Sequence, residues 1–393
     1  MAAGADRQEL CHPLQHREDQ DLPPRKRHAS RTSRQIGVLS NRRRWDFPQT
    51  IRSASRLPTH PEGHPVDPSG GAAIMGGILS DGLLLWAQKR PLTGTKEERM
   101  YKCLSPSAIG VIGRQSELVE IALTHRFKGL EIDITELTKR AQTTGVPQAC
   151  RYLSSAHMAI GGFELPVRWA GEEQEFAADL AQLPLLLEVA STLHADRCFT
   201  SIRPTCDQRP FHENFKFHTE RLQKLADALA PGNVKLGLVL LAAPADRADG
   251  GFEFIHQVEP LLTLLNSVQR ENVGLVLDTW SWFVGGGDLE KVRTLKAEQI
   301  LSVRLADLPA DADLAAITSQ QRLMPGEGGA IDCAALLGIL EELGYDGPVT
   351  VAPDPESSKG QTREATITRA STALDGLLAG VSGETAVATA EKS

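Results

Sequence analysis

The chain has 393 residues, 41% of them hydrophobic, with 42 Lys+Arg against 50 Asp+Glu, enough for a large core. Residues 1–99 hold 16 Lys+Arg and 11 Asp+Glu, which leaves 26 against 39 in the remaining 294 residues, a net charge of −13 there. So acidic a body excludes a protein that tracks a nucleic-acid backbone, which needs a basic stripe, while a few local cations could still hold a small phosphorylated molecule.

The first ninety-odd residues carry the basic runs Arg25-Lys26-Arg27 and Arg42-Arg43-Arg44 and show no sustained period of 2 or 3.6. They are expected to be a disordered extension over 1–99, or a stretch ahead of a misassigned start, because such a composition cannot offset its ordering entropy. The N-terminus is polar rather than apolar after a basic start, so no secretory signal is expected. The longest apolar stretch, Ala72–Ala87, is broken by Asp81 and rich in Gly, too short to span a bilayer. The six cysteines, at 11, 103, 150, 198, 206 and 333, form no CxxC; they read as reduced thiols of a cytoplasmic protein.

From Met100 onward, short apolar runs alternate with longer amphipathic ones. The expected strands are Ala108–Ile112, Gly129–Asp133, Ser154–Ala159, Cys198–Ile202, Lys235–Leu241, Val273–Asp278, Ile300–Asp307 and Val349–Ala352. Between them the spacing predicts helices over Ser116–His125, Glu172–His194, Glu213–Ala230, Gly251–Val268, Asp288–Ala297 and Asp332–Gly344, with a weaker one over 134–145. Acids open several of these helices and Gly344 closes one, as caps should. Eight strands separated by helices predict parallel pairing. Runs such as Leu236–Leu241 are continuously apolar, as strands buried on both faces must be. The alternative is an open doubly wound sheet, which usually announces a Gly-rich phosphate turn after its first strand. Ile112-Gly113-Arg114 is no such turn, so a (β/α)8 TIM barrel is expected over 100–377, followed by a disordered tail over 378–393.

A barrel of this kind places its chemistry at the C-terminal ends of the strands. The polar residues there are Glu131 and Asp133 after the second run, His157 in the third, Arg203 after the fourth and Asp278 ending the sixth. Arg304 and Asp307 mark the seventh, and Arg322 and Glu327 lie in the loop before the last helix. Asp278, following Gly-Leu-Val-Leu, would be costly to bury unpaired. His157 is weighed against an ordinary hydrogen-bonded core histidine, and Trp280 and Trp282 against ordinary packing.

Three segments carry a resemblance. They are Asn272-Val273-Gly274-Leu275-Val276-Leu277-Asp278-Thr279-Trp280-Ser281-Trp282, Arg322-Leu323-Met324-Pro325-Gly326-Glu327-Gly328-Gly329, and Leu343-Gly344-Tyr345-Asp346-Gly347-Pro348. With Phe127-Lys128-Gly129-Leu130-Glu131, and in this order, they resemble the sugar phosphate isomerase/epimerase family, the xylose isomerase-like barrels. The resemblance implies one divalent cation, Mn, Mg or Co, held by Glu, Asp, His and Glu, which stabilises the enediolate formed when a proton leaves the carbon beside a carbonyl.

Carried over position by position, the implied ligand set fails. Val239 stands for the first glutamate, Arg304 for the histidine and Ala352 for the last glutamate; only Asp278 remains. An arginine in that ring opposes a dication, so no resident metal is expected. A further histidine usual three residues after the aspartate is Ser281.

The resemblance therefore implies an isomerase/epimerase-like barrel with impaired or altered activity on a small sugar or sugar phosphate. Glu131, Asp278 and Glu327 are its candidate catalytic groups, and His157, Arg203, Trp280, Trp282, Arg304, Asp307 and Arg322 its candidate binding groups. Arg304 is expected either to pair with Asp278 or, with Arg203 and Arg322, to face the barrel mouth and receive a phosphate or carboxylate. The alternative is a non-catalytic barrel, a pseudoenzyme that binds a sugar or regulates an active paralogue. A trinuclear metal endonuclease on the same barrel is disfavoured by the acidic charge and by too few histidines. No membrane or nucleic-acid partner is expected, and a homo-oligomer is left open.

Overall fold

Eight parallel strands close into a barrel. They are β1 Tyr101–Leu104, β2 Gly129–Glu131, β3 Ala159–Glu164, β4 Arg197–Ile202, β5 Lys235–Leu240, β6 Val273–Asp278, β7 Ile300–Leu305 and β8 Pro348–Val351. Each pairs with its sequence neighbour and β8 pairs back onto β1. The structure is a computed structural model that describes residues 100–247 and 251–382. The expectations for 1–99, including Cys11 and the Ala72–Ala87 stretch, lie outside the described residues, as does the end of the expected tail.

The helices around the barrel are α1 Gln115–Thr124, α2 Ile134–Thr144, α3 Val146–Ser155, α4 Glu173–Leu180, α5 Leu183–Thr192, α6 Phe211–Leu229, α7 Val258–Val268, α8 Thr279–Val284, α9 Leu289–Arg293, α10 Cys333–Leu343 and α11 Arg363–Ser382. The stretch 172–194 breaks into two helices at Pro184, a residue favoured only in a first turn. Two short strands, Thr205–Cys206 and Phe252–Glu253, form an antiparallel ribbon outside the barrel, so α7 begins later than the apolar periodicity suggests. Among the described residues no helix is long and apolar enough to cross a membrane.

Two strands differ from expectation, each for a physical reason. The first is Tyr101–Leu104, whereas 107–109 make a 3-10 turn. Lys102 disguised it. That lysine is 5% exposed, packs over the Phe127 ring and reaches Ser371 and Asp375 on α11, so a charged residue sits where an apolar one was sought. The third strand is Ala159–Glu164, five residues later than expected. Gly161 and Gly162 interrupt its apolar signal, yet both are required. A Cβ on Gly161 would lie 2.3 Å from the Cys103 sulfur, and Gly162 has a φ of +150° with the Phe199 ring 2.4 Å from its would-be Cβ.

Most of the core lies between the sheet and the helices, while Phe199, Val239 and Val276 form a small separate apolar cluster. His218 on α6 is packed among Trp169 and Phe254 at ring distances of 4.9 and 4.5 Å, and its Nδ1–H donates to the Asn214 carbonyl. Burial pushes its pKa from 6.5 down to about 4, the Asn214 bond opposing and the Arg209 charge adding to the fall. Below pH 6.5 the unfolded chain takes up a proton that the folded chain refuses. Stability is therefore full above that pH and is lost as the pH falls towards 4, by about 3 kcal/mol in all. Urea midpoints measured across this range should show the loss, and a His218→Leu chain should lack that part of the slope.

Candidate functional site

At the C-terminal ends of β1, β2 and β3 lies a cavity of about 470 Å3, lined among others by Gln115, Glu131, Asp133, Glu136, Glu164 and Arg304. Arg304 comes from β7, across the barrel. Its guanidinium lies 5.2 Å over the Phe199 ring and 3.8 Å from Glu131 Oε1. Its Nε is buried and has no hydrogen-bond partner. The second oxygen of Glu131 accepts from the Ser105 hydroxyl at 2.5 Å. Asp133 is spent locally: one of its oxygens accepts from the backbone N–H groups of Thr135 and Glu136, capping α2. Glu164 ends β3. Its side chain is exposed, yet desolvation by the groups crowding the cavity pushes its carboxyl pKa up; Arg304 opposes that shift and the like charge of Glu131 adds to it.

A second ion pair lies beside the first. Asp278 is 5% exposed. One of its oxygens caps α8 by accepting from the Ser281 N–H at 2.9 Å, and the other pairs with the Arg322 Nη2. Arg322 also donates from Nε to the Ala352 carbonyl at 3.0 Å and lies 5.1 Å over Trp280. The expected Arg304–Asp278 pair is thus replaced. The two residues are register partners on β6 and β7, but each guanidinium turns to a different carboxylate. Asp246, in the turn after β5, has its pKa raised by burial, with Arg322 opposing.

This geometry does not fit the cation that the resemblance implies. Of the four positions, Val239 sits in the apolar cluster, Arg304 brings positive charge, Ala352 offers only its carbonyl, and Asp278 is already bound. Among the described residues no three His, Cys, Asp or Glu side chains converge to hold a metal ion. Arg322 instead spans from Asp278 to the Ala352 carbonyl, the position at which the resemblance implies a glutamate.

The remaining sequence candidates scatter. Asp307 is fully buried and accepts from the backbone N–H groups of Leu308, Gly328, Gly329, Ala330 and Ile331. It shapes the Pro-Gly-Glu-Gly loop and has no surface left for a ligand. Glu327, on that loop, points outward to a two-pronged pair with Arg369 of α11, away from the cavity. His157 lies in the turn between α3 and β3 with a φ of 52°. The later start of β3 thus moves it to the opposite end of the barrel from the strand tips. Arg203 follows β4 and is exposed. Trp280 and Trp282 are buried, and Trp282 donates to the Asp288 carbonyl; neither lines the cavity. The residue that the sequence reading missed is Glu164. Shifting the third strand to its true position would have put it at a strand tip.

Residues 116–373 match the family described as xylose isomerase-like TIM barrel. The inosose isomerase of Bacillus subtilis (strain 168) is 30% identical over 161 residues, covering 41% of this chain and 55% of that protein. This chain spans about half the length of the curated relatives it matches. A xylose isomerase domain protein from Alicyclobacillus acidocaldarius superposes with a TM-score of 0.65 at 21% identity, over 72% of this chain and all of that one. The IOLI protein, whose crystal structure holds a zinc atom, superposes at 0.60 with 21% identity, over 71% of this chain and 98% of that one.

Proposed function

The chain belongs to the xylose isomerase-like TIM barrel family, and from that premise we propose a sugar isomerase/epimerase-like protein that works without the family's cation. Its substrate is a small unphosphorylated sugar or cyclic polyol ketone bound in the cavity at β1–β3. The observation that carries the reading is the Arg304 guanidinium, which lines the cavity with its Nε unpartnered and a carboxylate beside it. A fixed cation of this kind can polarise a carbonyl oxygen and hold the negative charge that grows there when the adjacent C–H proton leaves. Around Arg304 the lining carries Glu131, Asp133, Glu136 and Glu164. Such an excess of negative charge disfavours a phosphate and suits hydroxyl groups, which donate to carboxylates. The likeness to inosose isomerase over part of its length supports the reaction class.

The reading is tested by following solvent deuterium into aldoses, ketoses, inososes and their phosphates, with purified full-length protein, with Mn2+ and with EDTA. Label is expected at the carbon next to the carbonyl of an unphosphorylated substrate, at a rate that EDTA leaves alone. Exchange that EDTA abolishes would return the site to metal chemistry. A second reading is a non-catalytic sugar-binding barrel, favoured by the closure of Glu131 and Asp278 in ion pairs. Binding without exchange on any member of the panel would establish it instead.

A further inference from the structure

We propose that Glu164 is the carboxylate that moves the proton, with the Arg304 guanidinium of the same cavity polarising the substrate carbonyl. This rests on the isomerase reading above. The cavity has four carboxylates, and two of them are held by other groups. Glu131 is held by Ser105 and faces Arg304. Asp133 caps α2. Glu136 stands in the first turn of α2, where the helix N-terminus favours a negative charge. Glu164, among the described residues, makes no hydrogen bond or ion pair that fixes its carboxylate. Its backbone is nonetheless held in the sheet. It is the last residue of β3 and the register partner of Phe199 on β4, the ring over which the Arg304 guanidinium lies. The Arg304 guanidinium, reaching across from β7, thus lies over the side chain that neighbours Glu164 in the sheet.

The step balances within the substrate. Glu164 takes the proton from the carbon next to the carbonyl. The C–H electron pair becomes the C=C bond of an enediolate, and the carbonyl π pair moves onto its oxygen beside Arg304. Return of the proton by Glu164 to the same carbon on the same face regenerates the substrate and exchanges its hydrogen with solvent. Return to the former carbonyl carbon, with a hydroxyl proton moving between the oxygens, gives the isomer. No oxidant, reductant or further reactant enters. Desolvation and the Glu131 charge make Glu164 a stronger base than a solvated carboxylate.

In Glu164→Gln, deuterium exchange into an unphosphorylated ketose is expected to fall by about 10²–10⁴-fold. Equilibrium binding of that ketose, measured by calorimetry, should persist because the amide keeps a hydrogen-bonding oxygen. Glu164→Asp should recover part of the rate. The wild-type exchange rate should rise with pH through one ionisation above the ordinary carboxylate range, and that limb should vanish in Glu164→Gln. The wild-type profile alone tests the assignment if the variant fails to fold, since a rate flat through that range overturns it. Exchange that survives Glu164→Gln with its pH limb intact sinks the Glu164 assignment and leaves the isomerase reading standing. A wild type that exchanges nothing sinks both.

Discussion

Asp307→Ala is expected to destabilise the barrel by about 4 kcal/mol, more than any other single substitution near the site. Charged hydrogen bonds contribute roughly 1.5–3 kcal/mol each, and a buried donor left bare costs about 1–3 kcal/mol, so five separate losses would sum to more. The losses are not independent, because Gly328 to Ile331 form one loop that can open to water once its anchor is gone. In a barrel of this size the melting temperature should fall by roughly 10 °C. Asp307→Asn keeps one acceptor oxygen and should lose about half as much. Urea denaturation of the three proteins measures both effects, and an alanine variant within about 0.5 kcal/mol of wild type, the scatter of neutral surface changes, would show that the loop holds itself. The consequence reaches the site. Asp307 pairs by backbone with Leu323, next to Arg322, so a loosened loop also loosens the guanidinium that covers Asp278.

The barrel was legible because its strands are buried on both faces. An unbroken run such as Leu236 to Leu240 cannot be satisfied in a half-exposed sheet. The two strands that slipped are those where a local rule yields to a distant partner. Lys102 is tolerated inside because α11, more than 260 residues away, supplies Ser371 and Asp375. Gly161 and Gly162 are tolerated in a strand because Cys103 and Phe199 fill the space their side chains would need. The site shows the same division. That Val239, Arg304 and Ala352 stand where the resemblance implies Glu, His and Glu is a statement about side-chain chemistry and can be read from letters. Which guanidinium meets which carboxylate depends on where the loop carrying Arg322 is folded back. Asp307 decides that through five backbone bonds that no sequence pattern displays. Asp307 looked like a ligand-facing acid because a carboxylate after a strand carries the same letter whether it faces solvent, substrate or its own chain.

Restoring the implied ligands together, as Val239→Glu, Arg304→His and Ala352→Glu, is expected to create the divalent-metal site that, on the metal-free reading proposed above, the wild type lacks. At present the four positions carry one carboxylate and one guanidinium, and Arg322 adds a second positive charge against Asp278. Two like unit charges at 4 Å repel by about 4 kcal/mol at the effective dielectric near a protein surface, and a dication doubles this. The triple variant replaces that repulsion with three carboxylates and an imidazole, a set that suits Mn2+. A dissociation constant in the micromolar range, or roughly −8 kcal/mol, is expected by calorimetry after dialysis against EDTA. The metal-free triple variant should be less stable than wild type, because the carboxylate introduced by Val239→Glu would have to sit among Phe199 and Val276 without a partner. Added Mn2+ should raise its melting temperature in proportion to occupancy. Arg322 has to leave Asp278 for the cation to bind, so Arg322→Gln in the same background should tighten binding further. Tightly held Mn2+ or Zn2+ in dialysed wild-type protein would overturn the electrostatic reading of the mouth. A folded triple variant that binds no metal would instead show that the strand tips do not converge as the ligand set requires.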